Sequence, residues 1–248
     1  LDGIVDIDDT SLVLDVRCGT FGDKLEYDLR NEHGMTLGHW PQSINLSTVG
    51  GWLACRGAGQ FSTRYGKIED MVIGLDVVLA DGTTIKTGGN ERQATGPDLN
   101  QLFVGSEGTL GIVTSATVRL VRLPEEVRTL LVGFESTDQA GAATSAIIAA
   151  GILPAAIEMM DALAIEAAEE AVRCGYPEGA GAVLVIELDG AAVEVAQEYD
   201  EVERLCTENG AFEQRLATDP EDRALIWKGR KSAFAAVGRI SPDYIVQD

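Results

Sequence analysis

The stretch PQSINLSTVGGWLACRGAG, residues 41–59, and the shorter GSEGTLGIVT, residues 105–114, carry most of the information in this sequence. Glycine lets a backbone approach a ligand closely and adopt positive φ, and successive backbone N–H groups can bind an anion. Ser43, Ser47 and Thr48 add hydroxyl donors. Neither segment contains the Gly-Lys-Ser/Thr of a phosphate loop or a G-x-G-x-x-G fingerprint. From the residues alone, tight turns and close packing explain these glycines better than contact with a cofactor.

Two hairpins are predicted on either side of the first segment. Residues 4–16 alternate apolar and polar side chains about a polar turn, which is typical of a hairpin. Residues 75–79 and 83–86 form the second pair of predicted strands, and Asp81-Gly82 between them indicates a primed turn.

A helix is predicted after the first hairpin. Thr20 is a candidate N-cap, because Asp23 follows three residues later as in a capping box. Gly34 suits the left-handed residue that ends a helix. Residues 38–64 lack regular periodicity, so we expect an ordered loop there.

The character of the sequence changes after Pro124. Short predicted strands and helices alternate from there onwards, which favours an α+β or α/β unit. We predict an α+β fold with two domains, residues 1–124 and 125–248. The second domain is expected to contain an antiparallel sheet with helices on one face.

Composition and charge exclude some partners. Lys and Arg number 19 and Asp and Glu number 40, so the net charge of −21 repels nucleic acids and anionic membrane surfaces. No apolar stretch reaches the roughly 18 residues that span a bilayer, so membrane association is not indicated. The four cysteines are far apart and predict neither a zinc site nor a disulfide framework. A reducing, cytoplasmic setting is therefore expected.

Both ends of the sequence indicate a piece of a longer chain. It opens with Leu1 rather than Met, within a strand-like pattern, and it ends shortly after the apolar pair Ile245 and Val246. We therefore expect an internal fragment of an enzyme.

Three linked motifs in the first half resemble the second half of the FAD-binding domain of the vanillyl-alcohol-oxidase superfamily, the PCMH type. They are PQSINLSTVGG, then RYGKIEDMVIGLDVVLADG at residues 64–82, then GSEGTLGIVT. Their order, spacing and intervening hairpin all match, which makes the combination specific where one motif alone is weak.

The resemblance implies FAD as the cofactor and assigns residues to its site. In that family the first loop lies along the flavin, and the second supplies backbone contacts to the ring and the diphosphate. Ile112 and Val113 would bind through their backbone, since their side chains also suit a strand core. Carried over position by position, the residues implicated are Pro41, Gln42, Ser43, Ser47, Thr48, Gly50, Gly51, Cys55, Arg56, Ala58, Glu107, Gly108, Gly111, Ile112 and Val113.

The second half resembles the FAD-containing subunit of glycolate oxidase and is similar to D-lactate and other 2-hydroxyacid dehydrogenases. The motifs are GILPAAIEMMDALAIEAAEEAV at residues 151–172, VLVIELDG at residues 183–190 and WKGRKSAF at residues 227–234. The resemblance implies oxidation of a 2-hydroxy acid to a 2-oxo acid by hydride transfer to the flavin N5. The electrons then pass to an acceptor or a partner subunit.

An arginine at the position of Arg230 binds the substrate carboxylate in those enzymes. The chemistry agrees, because a planar guanidinium stays charged and binds a carboxylate bidentately. Without the resemblance, a surface arginine paired with a nearby acid is the better interpretation. We expect Lys231 to be solvated and Trp227 to anchor the core.

The remaining candidates for chemistry have structural interpretations. His33 and His39 are the only histidines, and both are interpreted as structural. Glu158 and Asp161 could form a pair of carboxylates, although Asp161 is better explained as a helix N-cap.

The chain departs from the family in what it lacks. The proline-glycine loop that holds the pyrophosphate in the family is missing, and so is the histidine cluster that binds a metal or acts as a base. We therefore expect no metal site, weak FAD binding and no turnover by this piece alone. Noncovalent FAD is expected in the complete enzyme.

Two alternatives stay open. Residues 50–70 are close to the matching stretch of alkylglycerone-phosphate synthase, an ether-lipid enzyme of the same superfamily. That family has Thr-Arg-Ala-Ser where this chain has Cys55-Arg56-Gly57-Ala58. The other alternative is that the chain is a non-catalytic module or fragment.

Overall fold

A computed structural model of the chain describes residues 1–89, 95–240 and Asp243. The chain divides into two compact units, Leu1–Leu123 and Pro124–Asp248. Each unit is described by itself below.

The first unit is built on a five-stranded antiparallel sheet. The strands of the unit in chain order are β1 (Ile4–Asp8), β2 (Val13–Arg17), β3 (Met35–Thr36), β4 (Val72–Val78), β5 (Thr84–Gly88), β6 (Ile112–Arg119) and β7 (Val121–Arg122). The sheet order is β1-β2-β6-β4-β5, and β3 pairs with β7 separately. The helices are α1 (Gly22–Asp28), α2 (Val49–Cys55), α3 (Ser62–Tyr65), α4 (Ile68–Met71) and α5 (Asn100–Phe103).

The two predicted hairpins are confirmed, because β1 pairs with β2 and β4 pairs with β5. The turn type predicted for the second hairpin is wrong. A primed turn of type I′ needs positive φ at both central residues, but Gly82 (φ 86°) has positive φ and Asp81 does not. The Gly82 N–H donates to the Leu79 carbonyl at 2.9 Å instead.

Thr20 is not the N-cap of α1, which corrects the prediction. Its hydroxyl donates to the Arg17 carbonyl at 2.7 Å and accepts from the Gly3 N–H at 2.8 Å. The Thr20 side chain therefore ties the hairpin together, and Phe21 occupies the N-cap position without a side-chain bond. Gly34, with φ 65°, ends the π-helical turn Leu29–His33 that extends α1.

The loop predicted over residues 38–64 is wrong in part, because α2 and α3 lie within it. Thr48 caps α2 by accepting from the Gly51 N–H at 3.3 Å. Val49, Trp52 and Leu53 are buried at helical spacing and join the core of the unit. Two glycines in the first turn obscured this pattern, since glycine is a poor helix former.

The second unit contains a four-stranded antiparallel sheet of order β11-β8-β10-β9. The predicted α+β fold, with an antiparallel sheet in the second half of the chain, is thereby confirmed. The strands are β8 (Glu126–Phe134), β9 (Ala156–Asp161), β10 (Ala182–Gly190) and β11 (Ala211–Leu216). The helices are α6 (Thr137–Ala149), α7 (Ala162–Val172), α8 (Ala192–Glu208) and α9 (Pro220–Ile240).

Helices cover both faces of this sheet, so the prediction of helices on one face is wrong. Leu184 and Ile186 of β10 share a core with residues of α6 and α8. Glu187, the next residue of β10, points to the other face of the sheet. There it binds Arg223 and Trp227 of α9. The near-continuous apolar run of β10 follows from this arrangement, because a strand covered on both faces need not alternate.

Candidate functional site

A cavity of about 450 Å³ lies in the first unit, between the start of α2 and the segment that leads into β6. Five glycines line it, so much of its wall is backbone, and its remaining lining is largely apolar. The lining residues are Leu1, Cys18, Gly19, Gly50, Gly51, Ala54, Phe103, Ser106, Glu107, Gly108, Gly111, Ile112 and Val113.

Backbone hydrogen bonds hold the two glycine-rich segments together at this cavity. The Gly105 N–H donates to the Leu53 carbonyl at 2.8 Å, and the Glu107 N–H donates to the Ala54 carbonyl at 3.0 Å. Arg56, at the end of α2, adds a bond from Nη2 to the Val104 carbonyl at 3.2 Å. Segments 41–59 and 105–114 therefore form one site although they are far apart in sequence.

The first turn of α2 requires glycine at residue 50. The Gly50 N–H donates to the Cys18 carbonyl at 2.8 Å, and a Cβ at Gly50 would lie 2.9 Å from that same oxygen. Gly51 differs, since a Cβ there would meet no protein atom closer than Thr48 Oγ1 at 3.6 Å. The space beside Gly51 belongs to the cavity.

The structure brings seven of the predicted cofactor residues to the cavity and leaves eight outside its lining. The Ser47 hydroxyl donates to the Ser43 carbonyl at 2.9 Å and accepts from Trp52 Nε1 at 2.7 Å, and the Thr48 hydroxyl caps α2. These hydroxyls therefore form hydrogen bonds within the protein. Lining the cavity are Gly50, Gly51, Glu107, Gly108, Gly111, Ile112 and Val113; outside it are Pro41, Gln42, Ser43, Ser47, Thr48, Cys55, Arg56 and Ala58.

His39, which was interpreted from the sequence as structural, is a buried group. Its ring is 1% exposed, and neither ring nitrogen has a hydrogen-bond partner among the residues that the structure describes. It meets Trp52 edge to face at 4.7 Å between ring centroids. Burial lowers the pKa of His39 to about 4, and the charge of Glu69 opposes that shift.

In the second unit, Arg230 of α9 binds Glu158 of β9. Glu158 Oε2 accepts from Nη2 at 2.7 Å and from Nε at 3.2 Å. Asp161 does not join this pair, because its side chain caps α7 by accepting from the Ala164 N–H at 2.8 Å. The N-cap interpretation of Asp161 is confirmed.

Glu187 is a buried carboxylate of the second unit that accepts four hydrogen bonds. Its oxygens accept from Thr129 at 2.8 Å, from Trp227 Nε1 at 2.6 Å, and from Arg223 at 2.6 and 2.9 Å. Trp227 is a core anchor, as predicted. Lys231 is half-buried rather than solvated, and burial lowers its pKa.

Comparison with known families defines the class. Residues 123–248 match the family described as FAD linked oxidases, C-terminal domain, and residues 1–88 match the family described as FAD binding domain. This chain belongs to the FAD-linked oxidases. The expectations of a flavoprotein and of FAD as its cofactor are confirmed by these matches.

Individual relatives refine the comparison. The glycolate oxidase subunit GlcD of Escherichia coli (strain K12) is 40% identical over 87% of this chain and 43% of its own length. The alkyldihydroxyacetonephosphate synthase of Caenorhabditis elegans is 41% identical over 52% of this chain and 21% of its own. A solved alkyldihydroxyacetonephosphate synthase structure superposes with a TM-score of 0.78 over 96% of this chain and 45% of that one, at 24% identity, and so shows the fold alone. The chain spans about half the length of the curated relatives it matches.

The residues around the cavity fit the ring system of FAD. A flat ring needs close approach to backbone, and at Gly51 and Gly108, which line the cavity, an added Cβ would meet no protein atom closer than 3.6 Å. The cavity fits a phosphate less well, because the first N–H groups of α2 already have acceptors in Thr20, Cys18 and Thr48. Across the part of the chain that the structure describes, no group of acidic, histidine or cysteine side chains could hold a metal ion. No described helix is long and apolar enough to cross a membrane.

Proposed function

We propose that the protein to which this chain belongs oxidises a 2-hydroxy acid of the glycolate or D-lactate type to the 2-oxo acid. The observation that supports this most is the environment of Arg230. Its guanidinium is half-buried, and one edge of it donates two hydrogen bonds to a single carboxylate oxygen. The similarity to GlcD, which extends over 87% of the chain, supports the same substrate class.

The reaction removes two electrons and two protons from the substrate carbon and hydroxyl. FAD, bound noncovalently in our proposal, supplies the N5 atom that accepts the hydride. Arg230 holds the substrate carboxylate and cannot take the hydroxyl proton, since a guanidinium stays protonated. A separate base takes that proton, and the electrons leave through an acceptor or a partner subunit.

An ether-lipid synthase is the second candidate. The C. elegans synthase is as similar in sequence as GlcD where it matches, but the match covers only 52% of this chain. Such an enzyme would also bind a phosphate ester, which a net charge of −21 does not favour. The 2-hydroxy acid proposal is therefore the stronger.

The experiment that tests the role of Arg230 compares two variants of the complete enzyme. Arg230→Ala should lower kcat/KM for the 2-hydroxy acid by about 30-fold or more, because truncating one partner of a buried charge pair costs roughly 2–5 kcal/mol. Lys228→Ala removes an exposed cation from the same helix and should leave kcat/KM unchanged. An unchanged kcat/KM in Arg230→Ala would remove Arg230 from the substrate site.

A further inference from the structure

We infer that Glu158 is a positioning residue for Arg230, holding the guanidinium so that its other donors can face a substrate carboxylate. This inference rests on the proposed function. The pair is unusual in its geometry: both hydrogen bonds from Arg230, from Nε and from Nη2, converge on Oε2 of Glu158.

That geometry leaves part of the guanidinium available. A guanidinium has five N–H donors in a fixed plane, and Glu158 uses two of them, on the Nε edge. Among the residues that the structure describes, no other side chain accepts from Arg230. The Nη1 donors and one Nη2 donor, which together present a second edge, can therefore bind another carboxylate bidentately.

The two side chains come from rigid elements. Glu158 lies on β9, where it pairs with Val185 of β10, and Arg230 lies on the third turn of α9. Their side chains are 24% and 23% exposed, so water screens their attraction less than that of a surface pair. Tyr176 is close by: burial raises the pKa of its hydroxyl, and the charge of Arg230 opposes the rise.

The physical effect of Glu158 is to reduce the freedom of a long side chain before substrate arrives. An unrestrained arginine loses up to about 2 kcal/mol of rotamer entropy when a ligand orders it. An arginine already held in plane loses less. Removing the acceptor should therefore weaken substrate binding, even though it also removes a competing negative charge.

Two substitutions separate these effects in the complete holoenzyme, with glycolate and D-lactate as substrates. Glu158→Ala removes the acceptor, and KM should rise about 10-fold, with a smaller change in kcat. Glu158→Gln keeps an amide oxygen for Nη2 and Nε without the charge, and KM should stay within about 3-fold of the parent enzyme.

The matched control is another carboxylate–arginine pair in the same sheet. Glu126 accepts from Arg128 Nε at 2.6 Å, with side chains 31% and 28% exposed. Glu126→Ala should leave KM unchanged. A KM rise in Glu126→Ala as large as in Glu158→Ala would show general weakening of the unit and overturn the inference.

The remaining outcomes also decide the matter. Equal KM values in Glu158→Ala and the parent, or an equal fall of KM in both Glu158 variants, would overturn the positioning role. If the parent enzyme oxidises neither acid, the proposed function has failed. The affinity for glyoxylate, measured from the change in flavin absorbance, then tests Glu158 by itself. Weaker binding in Glu158→Ala than in Glu158→Gln supports the inference. Equal binding in both variants, or no binding, overturns it.

Discussion

His39 shows how one residue can control the pH dependence of stability. Its pKa is about 4 in the folded chain, whereas histidine in an unfolded chain titrates near 6.5. The unfolded chain therefore binds a proton between these values and the folded chain does not. The stability that neutral His39 contributes is fully present above about pH 6.5 and is lost as the pH falls towards 4.

We predict that His39→Phe, which keeps a ring beside Trp52, flattens this pH dependence. Between pH 7 and pH 5 the free energy of unfolding of the parent should fall by about 2 kcal/mol more than that of the variant. Chemical denaturation at several pH values measures the difference. His33→Gln, which replaces the exposed histidine, is the control and should keep the parent slope. Parallel slopes for the parent and His39→Phe would show that folding does not lower the pKa of His39.

Single residues also mark the limit of what the sequence could predict. Arg230 was expected on α9, and its pairing with an acid was one of two interpretations. The identity of that acid could not be predicted, since Glu158 lies 72 residues away in sequence. The network around Glu187 was missed for the same reason: its partners come from β8 and α9 and converge only in the folded sheet.

At the scale of elements, α2 connects the fold to the candidate FAD site. Its capping residue and its buried face were present in the sequence as Thr48, Val49, Trp52 and Leu53, but Gly50 and Gly51 interrupt the pattern of helix formers. Residue 50 has to be glycine because the backbone of Cys18 leaves no room for a Cβ. At Gly51 the fold imposes no such limit, so the cavity is the remaining reason.

Gly51→Ala should therefore separate folding from cofactor binding. The free energy of unfolding should stay constant or rise by up to about 1 kcal/mol, because alanine is the better helix former. The dissociation constant for FAD should rise about 10-fold, as expected where a methyl group overfills a packed site. Flavin fluorescence titration of the complete apoprotein measures it.

The control is Gly141→Ala in α6, where a Cβ would meet nothing within 4 Å. It should stabilise its helix to a similar degree without changing the FAD affinity. If Gly51→Ala binds FAD as tightly as Gly141→Ala does, the cavity beside α2 is not where the flavin lies.

The other helices and strands were predictable because their capping residues, turn residues and apolar periodicity agree with the burial of their side chains. The hairpins of the first unit alternate with period two. In the second unit Ser136 and Asp161 cap α6 and α7, and Gly151 and Gly210 follow α6 and α8 with positive φ. The placement of helices on both faces of the second sheet was not predictable from periodicity alone. The sequence predicted a strand over residues 183–188 but not the partners of Glu187, since Arg223 and Trp227 come from α9.

At the scale of the whole molecule, each unit has its own core. Leu14, Leu53 and Val118 belong to the core of the first unit, and Phe134 and Leu184 to that of the second. We propose, as the change of pattern at Pro124 predicted, that these units are separate domains. In that proposal one carries the cavity for FAD and the other carries the arginine for the substrate.

The measurement that tests the central claim most directly is the absorption spectrum of the complete protein, before and after anaerobic addition of glycolate, D-lactate and related 2-hydroxy acids. We predict flavin bands in the purified protein, and we predict that at least one of these acids bleaches them without any other reductant. Flavin bands that dithionite bleaches but no 2-hydroxy acid does would contradict the proposed oxidation and favour the ether-lipid synthase. A protein that binds no flavin would contradict the account as a whole.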